Sequence, residues 1–156
     1  MGVHCALPLR AFTPKPRHCM SKVYASASVT LDIPFHDVDM LGIVWHGRYA
    51  KYLEIAREAM LAKINYSIVQ MRTSGYAWPV IEMNIRYAHP LRFEQKIRVQ
   101  ADLVEVENRL KIAYRIFDIA SGRRITKAYT VQVALDMTSG EMLFASPRAL
   151  LDRVAL

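Results

Sequence analysis

Tyr49-Ala50-Lys51-Tyr52-Leu53-Glu54-Ile55-Ala56-Arg57-Glu58-Ala59-Met60-Leu61-Ala62-Lys63-Ile64 reads as one long helix, and the rest of the architecture is arranged around it. Tyr49, Tyr52, Leu53, Ala56, Met60 and Ile64 recur at spacings of three and four, while Lys51, Glu54, Arg57 and Glu58 fall on other faces. Arg48 to Ile64 is therefore expected to form four to five turns. Ala50, Ala56, Ala59 and Ala62 keep the helix surface shallow, so a second layer can approach closely and wrap it.

Outward from this helix the period changes from 3.6 to two. Upstream, Val29, Leu31 and Ile33 alternate with Thr30 and Asp32 as in a half-buried strand that ends near Pro34. Downstream, after an irregular stretch from Ser67 to Trp78, four more alternating runs follow. Ile81, Met83, Ile85 and Tyr87 share one face; Ile97, Val99, Ala101 and Leu103 share the next; then come Leu110, Ile112, Tyr114 and Ile116, and finally Tyr129, Val131, Val133 and Leu135. The later runs are separated by turn-like Glu107-Asn108-Arg109 and Ser121-Gly122-Arg123, with Thr138-Ser139-Gly140 closing the last, so an antiparallel meander is expected. No crossover helices fit between them. The fold class is α+β: a curved antiparallel sheet of five to six strands wrapped around one long helix.

With 156 residues, 53% of them hydrophobic, the chain suits one globular domain, assigned to residues 23–156. Residues 1–31 contain no acidic side chain, and 1–22 read as a disordered basic extension, with Met20 as the natural start. Deleting Met1 to Cys19 is expected to leave turnover and melting temperature unchanged; loss of either places that segment in the fold. No apolar run approaches the roughly 18 residues of a bilayer span, so no membrane partner is expected. Cys5 and Cys19 both precede the first strand, which leaves no core thiol for a nucleophile or a zinc site and is consistent with a reducing cytoplasm. The formal charge of +7 suits an anionic ligand. Its basic residues are spread along the chain without an aromatic-interleaved patch, so nucleic acid is not expected as a partner.

The densest chemical signal lies between the first strand and the helix, in Asp37-Val38-Asp39-Met40-Leu41-Gly42-Ile43-Val44-Trp45-His46-Gly47-Arg48. Gly42 permits a sharp turn, and the first N–H groups of the helix have no intrahelical acceptor. Those donors form an oxyanion site, and a carboxylate a few residues upstream can attack a carbonyl held there or activate water beside it. Calcium fails as an alternative: counted from Asp37, the fifth and twelfth positions are Leu41 and Arg48, where oxygen ligands are required. His36 and His46 lack zinc spacing, so no metal and no cofactor is expected. Asp37 is read as shaping or capping the loop, and Glu54, Arg57 and Glu58 as helical ion-pair partners. Trp45 and Trp78 are read mainly as packing residues.

The run from Asp37 to His46, followed by Tyr49, Tyr52-Leu53-Glu54 and Ala56-Arg57, resembles the signature of hotdog-fold acyl-CoA thioesterases of the 4-hydroxybenzoyl-CoA thioesterase and YbgC-like family. The resemblance implies a hotdog fold and hydrolysis of an acyl-CoA or acyl-carrier-protein thioester. It implies that Asp39 is the nucleophile or general base and that the His46 N–H polarises the carbonyl. Gly42, Val44, Trp45, Tyr49 and Glu54 are then expected around the substrate, in a homodimer or homotetramer. A related branch uses a helix-borne carboxylate, which would be Glu54 here. Two rivals share the fold: a non-catalytic acyl- or carrier-protein-binding module and a 3-hydroxyacyl-thioester dehydratase. An intact Asp39 argues against the first. No dehydratase-type segment surrounds any histidine.

Overall fold

The computed structural model describes residues 22–154; the expected N-terminal extension, apart from Lys22, lies outside the described residues. Among them the elements run β1 (Ala25–Asp32), α1 (Tyr49–Lys63), α2 (Ile68–Thr73), β2 (Tyr76–Ala77), β3 (Val80–Tyr87), β4 (Lys96–Glu105), β5 (Leu110–Asp118), β6 (Arg124–Gln132), β7 (Leu135–Asp136) and α3 (Arg148–Val154). The main sheet has the order β1-β4-β5-β6-β3, antiparallel throughout, and β2 pairs separately with β7. The expected meander is β4-β5-β6. β3 instead pairs with β6 at the far edge, so residues 88–95 return the chain to the opposite half of the sheet.

The α1 helix forms where its periodicity places it and buries Tyr49, Tyr52, Leu53, Ala56, Met60 and Leu61. It packs on β1 and β4. Asn65, at φ +53°, turns the chain out of the helix, a conformation that asparagine tolerates better than most residues. On the sheet, Ile97, Val99, Ala101 and Leu103 of β4 and Leu110, Ile112, Tyr114 and Ile116 of β5 face α1, all fully buried. The architecture is one sheet wrapped on one long helix, as the hotdog resemblance implies.

Two sequence expectations need correction. The alternation predicts an apolar face of Tyr129, Val131, Val133 and Leu135 for the last strand. β6 begins earlier, at Arg124, and its register puts Thr126, Ala128, Thr130 and Gln132 on the helix side, opposite Ile116, Tyr114, Ile112 and Leu110. Two polar side chains of that row meet partners there: Thr130 Oγ lies 3.0 Å from Tyr114 Oη, and Gln132 donates to the Trp78 carbonyl at 2.6 Å. The irregular stretch from Ser67 contains α2, started by a capping box in which the Ser67 N–H donates to Gln70 Oε1 at 2.9 Å. Dispersed in sequence, some basic residues also gather in space. Arg86 stands opposite Lys127, and Lys127 opposite Arg115, in one cross-strand row.

β3 is left uncovered. Ile81, Met83 and Tyr87 are all more than a third exposed, and its outer edge has no strand beside it among the described residues.

Candidate active site

The loop between β1 and α1 is fastened at four points by backbone hydrogen bonds. Asp39 N–H donates to Ile43 O (2.8 Å), Gly42 N–H to Asp39 O (3.0 Å), Trp45 N–H to Asp37 O (2.9 Å) and Val44 N–H to Leu91 O (2.9 Å). The first two close a turn over Asp39–Gly42, which requires the left-handed φ of +73° that Gly42 supplies without steric cost. After Trp45 the chain enters a 3-10 turn, His46–Arg48, that leads into α1 at Tyr49. The expected helix start at Arg48 is thus one short turn of tighter helix, headed by His46.

Asp39 sits at the opening of this turn, half-buried. Its Oδ1 accepts the Leu41 N–H at 2.8 Å, an Asx turn that orients the carboxylate and leaves Oδ2 without a donor among the described residues. His46 is exposed, its ring 5.0 Å from that of Trp45. Its N–H donates to no carbonyl among the described residues, as expected for the first residue of a helical turn. No hydrogen bond joins the Asp39 and His46 side chains among those residues. The two groups lie at the two ends of one small loop, a carboxylate and a free N–H donor.

Asp37 is the buried carboxylate of the loop, and its partners are on α1. Its Oδ2 accepts from Tyr52 Oη at 2.7 Å and from Lys51 Nζ at 3.1 Å; Arg48 Nε lies 3.5 Å from Oδ1 and His36 Nε2 3.7 Å. Burial pushes the carboxyl pKa up, but the Tyr52 and Lys51 hydrogen bonds and the nearby positive charges outweigh it, and Asp37 is held below the usual carboxylate range. The same contact, with burial leading, pushes the Tyr52 hydroxyl pKa up. Asp37 therefore stays ionised and clamps the loop to the first turn of the helix. Its loop-shaping role is legible in the sequence, but Lys51 and Tyr52 as its partners are not, because pairs separated by 14 and 15 residues have no local signature.

The remaining candidate residues divide between packing and exposure. Val44 and Tyr49 are buried; Val44 anchors the loop through its N–H, and Tyr49 Oη accepts the Leu91 N–H at 3.2 Å. Trp45 is exposed, and its ring lies over Gly47 so closely that a Cβ there would displace it. Trp78 is buried and donates from its indole to Tyr66 Oη at 3.1 Å. Glu54 is paired with Arg57 at 2.5 Å, the expected helical ion pair. Tyr87, expected on the face of an alternating strand, also reaches the loop. From the end of β3 it donates to the His46 carbonyl at 3.1 Å and packs edge-on to Tyr49 at 4.8 Å, bracing the 3-10 turn. Met60 is in the core, whereas Met40 and Met83 are exposed. Among the described residues no cluster of three or more His, Cys, Asp or Glu has metal-site geometry, and no helix is long and apolar enough to cross a membrane.

The family described as the thioesterase-like superfamily matches residues 33–154. The chain is 25% identical over 143 residues to a Synechocystis sp. protein provisionally named esterase sll0410, covering 86% of each. It is 24% identical over 116 residues to the acyl-CoA thioester hydrolase YbgC of Escherichia coli, covering 74% of this chain and 83% of that one. Among solved structures, a DHNA-CoA thioesterase from Staphylococcus aureus superposes with a TM-score of 0.70 at 22% identity, covering 76% of this chain and 80% of that chain. At that identity the superposition shows a common fold.

Proposed function

The chain belongs to the thioesterase-like superfamily and is a thioester hydrolase, and we propose that it cleaves acyl-CoA substrates with Asp39 as the reacting carboxylate and the His46 N–H as the oxyanion donor. The observation that carries this reading is the loop itself, which presents, within one fastened turn, a carboxylate oxygen and an N–H that no described residue engages. The thioester carbonyl oxygen accepts from the His46 N–H, which stabilises the negative charge that develops as the carbonyl is attacked. Asp39 either attacks the carbonyl carbon directly or takes the proton from an attacking water. The carbon–sulfur bond breaks, the thiol leaves, and water supplies the oxygen of the free acid.

The same reading includes Gly42, Trp45, Tyr49 and Glu54 around the substrate, and a cytoplasmic enzyme with no core thiol. Val44 acts in it only through the backbone of the loop. It also includes a dimer or tetramer, supported by the uncovered apolar face and free edge of β3, which a second copy of the chain can pair. Light scattering at micromolar concentration is expected to give twice or four times the chain mass. A fully active monomer would remove β3 as an interface. The activity is tested by thiol release across aromatic and short- to long-chain acyl-CoAs, with one acyl-carrier-protein substrate alongside. Saturable release with the CoA series is expected; release from the carrier protein alone would reassign the substrate.

A further inference from the structure

The face of the sheet turned away from α1 concentrates positive charge. Arg86 of β3, Lys127 of β6 and Arg115 of β5 stand directly opposite one another across adjacent strands. Neighbouring strands lie about 4.8 Å apart, so the three side chains leave the sheet within reach of one small molecule. Like charges placed directly opposite one another destabilise a sheet unless something compensates them. Among the described residues, Arg115 has such a partner: its Nη2 donates to Asp102 Oδ2 at 2.6 Å. Asp102 is buried and also accepts from Ser26 Oγ at 2.6 Å and Gln100 Nε2 at 3.0 Å. Burial pushes its pKa up, but these hydrogen bonds and the Arg115 charge outweigh it and keep the carboxyl ionised. Asp102 is thus saturated by its neighbours and fixes Arg115, leaving the rest of the row without a counter-charge.

Two shallow depressions flank Lys127 and share it. One, of about 300 Å³, has Asn84, Arg86 and Tyr129 on its walls; the other, of about 290 Å³, has Arg115, Arg124 and Asp102. The Arg86, Lys127 and Arg124 side chains are exposed and make no hydrogen bond or ion pair with a described residue. With Asp102 and Arg115 cancelling, these three positive charges remain uncompensated. Other charges on this face are engaged: Glu82 accepts from the Tyr129 hydroxyl at 2.5 Å, Lys111 lies over the Tyr129 ring and Arg98 over that of Phe117.

A second copy of the chain, at a net charge of +7, would be repelled by this face, and residues 1–31, which have no acidic side chain, cannot neutralise it. One phosphate ester carries about 1.5–2 negative charges and leaves part of the row unmatched, whereas two linked phosphates match three cations. Charge-assisted hydrogen bonds from arginine and lysine are the usual means of holding such groups. We propose that this outer face binds a diphosphate group, one phosphate in each depression beside Lys127, carried by a nucleoside diphosphate or as free pyrophosphate. The sheet lies between this site and α1, and Tyr87 meets His46 from the opposite face, so the site is separate from the reacting loop and independent of the hydrolase reading.

Calorimetry on the full chain with pyrophosphate, ADP and orthophosphate, at a physiological ionic strength of about 0.15 M, tests this directly. Saturable binding of one pyrophosphate or ADP per chain is expected, at least about tenfold tighter than orthophosphate. Lys127→Gln removes the cation shared by both depressions and should weaken binding by about tenfold or more, with Arg86→Gln and Arg124→Gln weakening it as well. Arg148→Gln, which removes the same charge from α3, should leave binding unchanged. All four positions are exposed, so each variant is expected to fold. An affinity for ADP at or above that for pyrophosphate identifies the ester as the source, and a lower one the free ion; either sustains the site. Equal affinity for pyrophosphate and orthophosphate, an equal loss in Lys127→Gln and Arg148→Gln, or no binding at all overturns it. Binding to phosphatidylserine vesicles without binding of any phosphate ligand also overturns it, and would make the face a membrane-docking surface.

Discussion

Asp39→Asn is expected to slow the chemical step by roughly 10²- to 10⁴-fold, the usual loss when one acid or base group is removed, while the protein stays folded and binds substrate. The structure makes this substitution clean. Asparagine retains the side-chain oxygen that accepts the Leu41 N–H, so the turn survives while the nucleophilic and basic carboxylate is lost. The fall should appear in kcat, with KM little changed, since the carboxylate acts on the transition state more than on ground-state binding. His46→Ala keeps the main-chain N–H and should cost far less. A comparable collapse in His46→Ala would move the chemistry onto the imidazole ring.

Asp37→Asn is expected to show the opposite profile, with a loss of stability first and activity falling as a consequence. It removes a charged acceptor of two hydrogen bonds and leaves the buried Tyr52 hydroxyl facing a neutral amide. Hydrogen bonds to charged groups are worth about 1.5–3 kcal/mol, and for a chain of this size each kcal/mol lowers Tm by roughly 2–4 °C. A drop of about 5 °C at neutral pH follows from these values. The pH dependence has a definite sign. Because the folded-state pKa of Asp37 is lowered, its contribution is complete above the ordinary carboxylate value near 4 and is lost as pH falls through the folded value. The Tm gap between wild type and Asp37→Asn should therefore close in acid. A gap that persisted unchanged at pH 2 would mean that shape, not charge, holds the loop.

Much of the fold was legible because α1 and β4-β5 obey their periods without conflict: Tyr49, Tyr52, Leu53, Ala56, Met60 and the eight positions named in β4 and β5 are buried, and Ile64, just past the end of α1, is partly covered. β6 was misread for a physical reason. Its core face carries Thr126, Thr130 and Gln132, of which Thr130 and Gln132 meet Tyr114 and the Trp78 carbonyl, and alternation of apolar residues cannot reveal a polar row buried against distant partners. The Ser67–Gln70 capping box was readable, but α2 is only six residues long and shows little period. At the site, the candidate carboxylate and oxyanion donor came from one contiguous motif. Lys51, Tyr52, Tyr87 and Gln132 did not, because each acts through a tertiary contact that no spacing encodes.

The identity of the reacting carboxylate remains the centre of the account, since Asp39 on the loop and Glu54 on the helix are both within the proposed site. Single-turnover thiol release with Asp39→Asn and Glu54→Gln, compared at equal oligomeric state and saturating acyl-CoA, separates them directly. Asp39→Asn should release thiol at no more than about a hundredth of the wild-type rate, and Glu54→Gln should remain active. Near-normal release by Asp39→Asn together with an inactive Glu54→Gln would contradict the assignment and move the catalytic carboxylate onto α1.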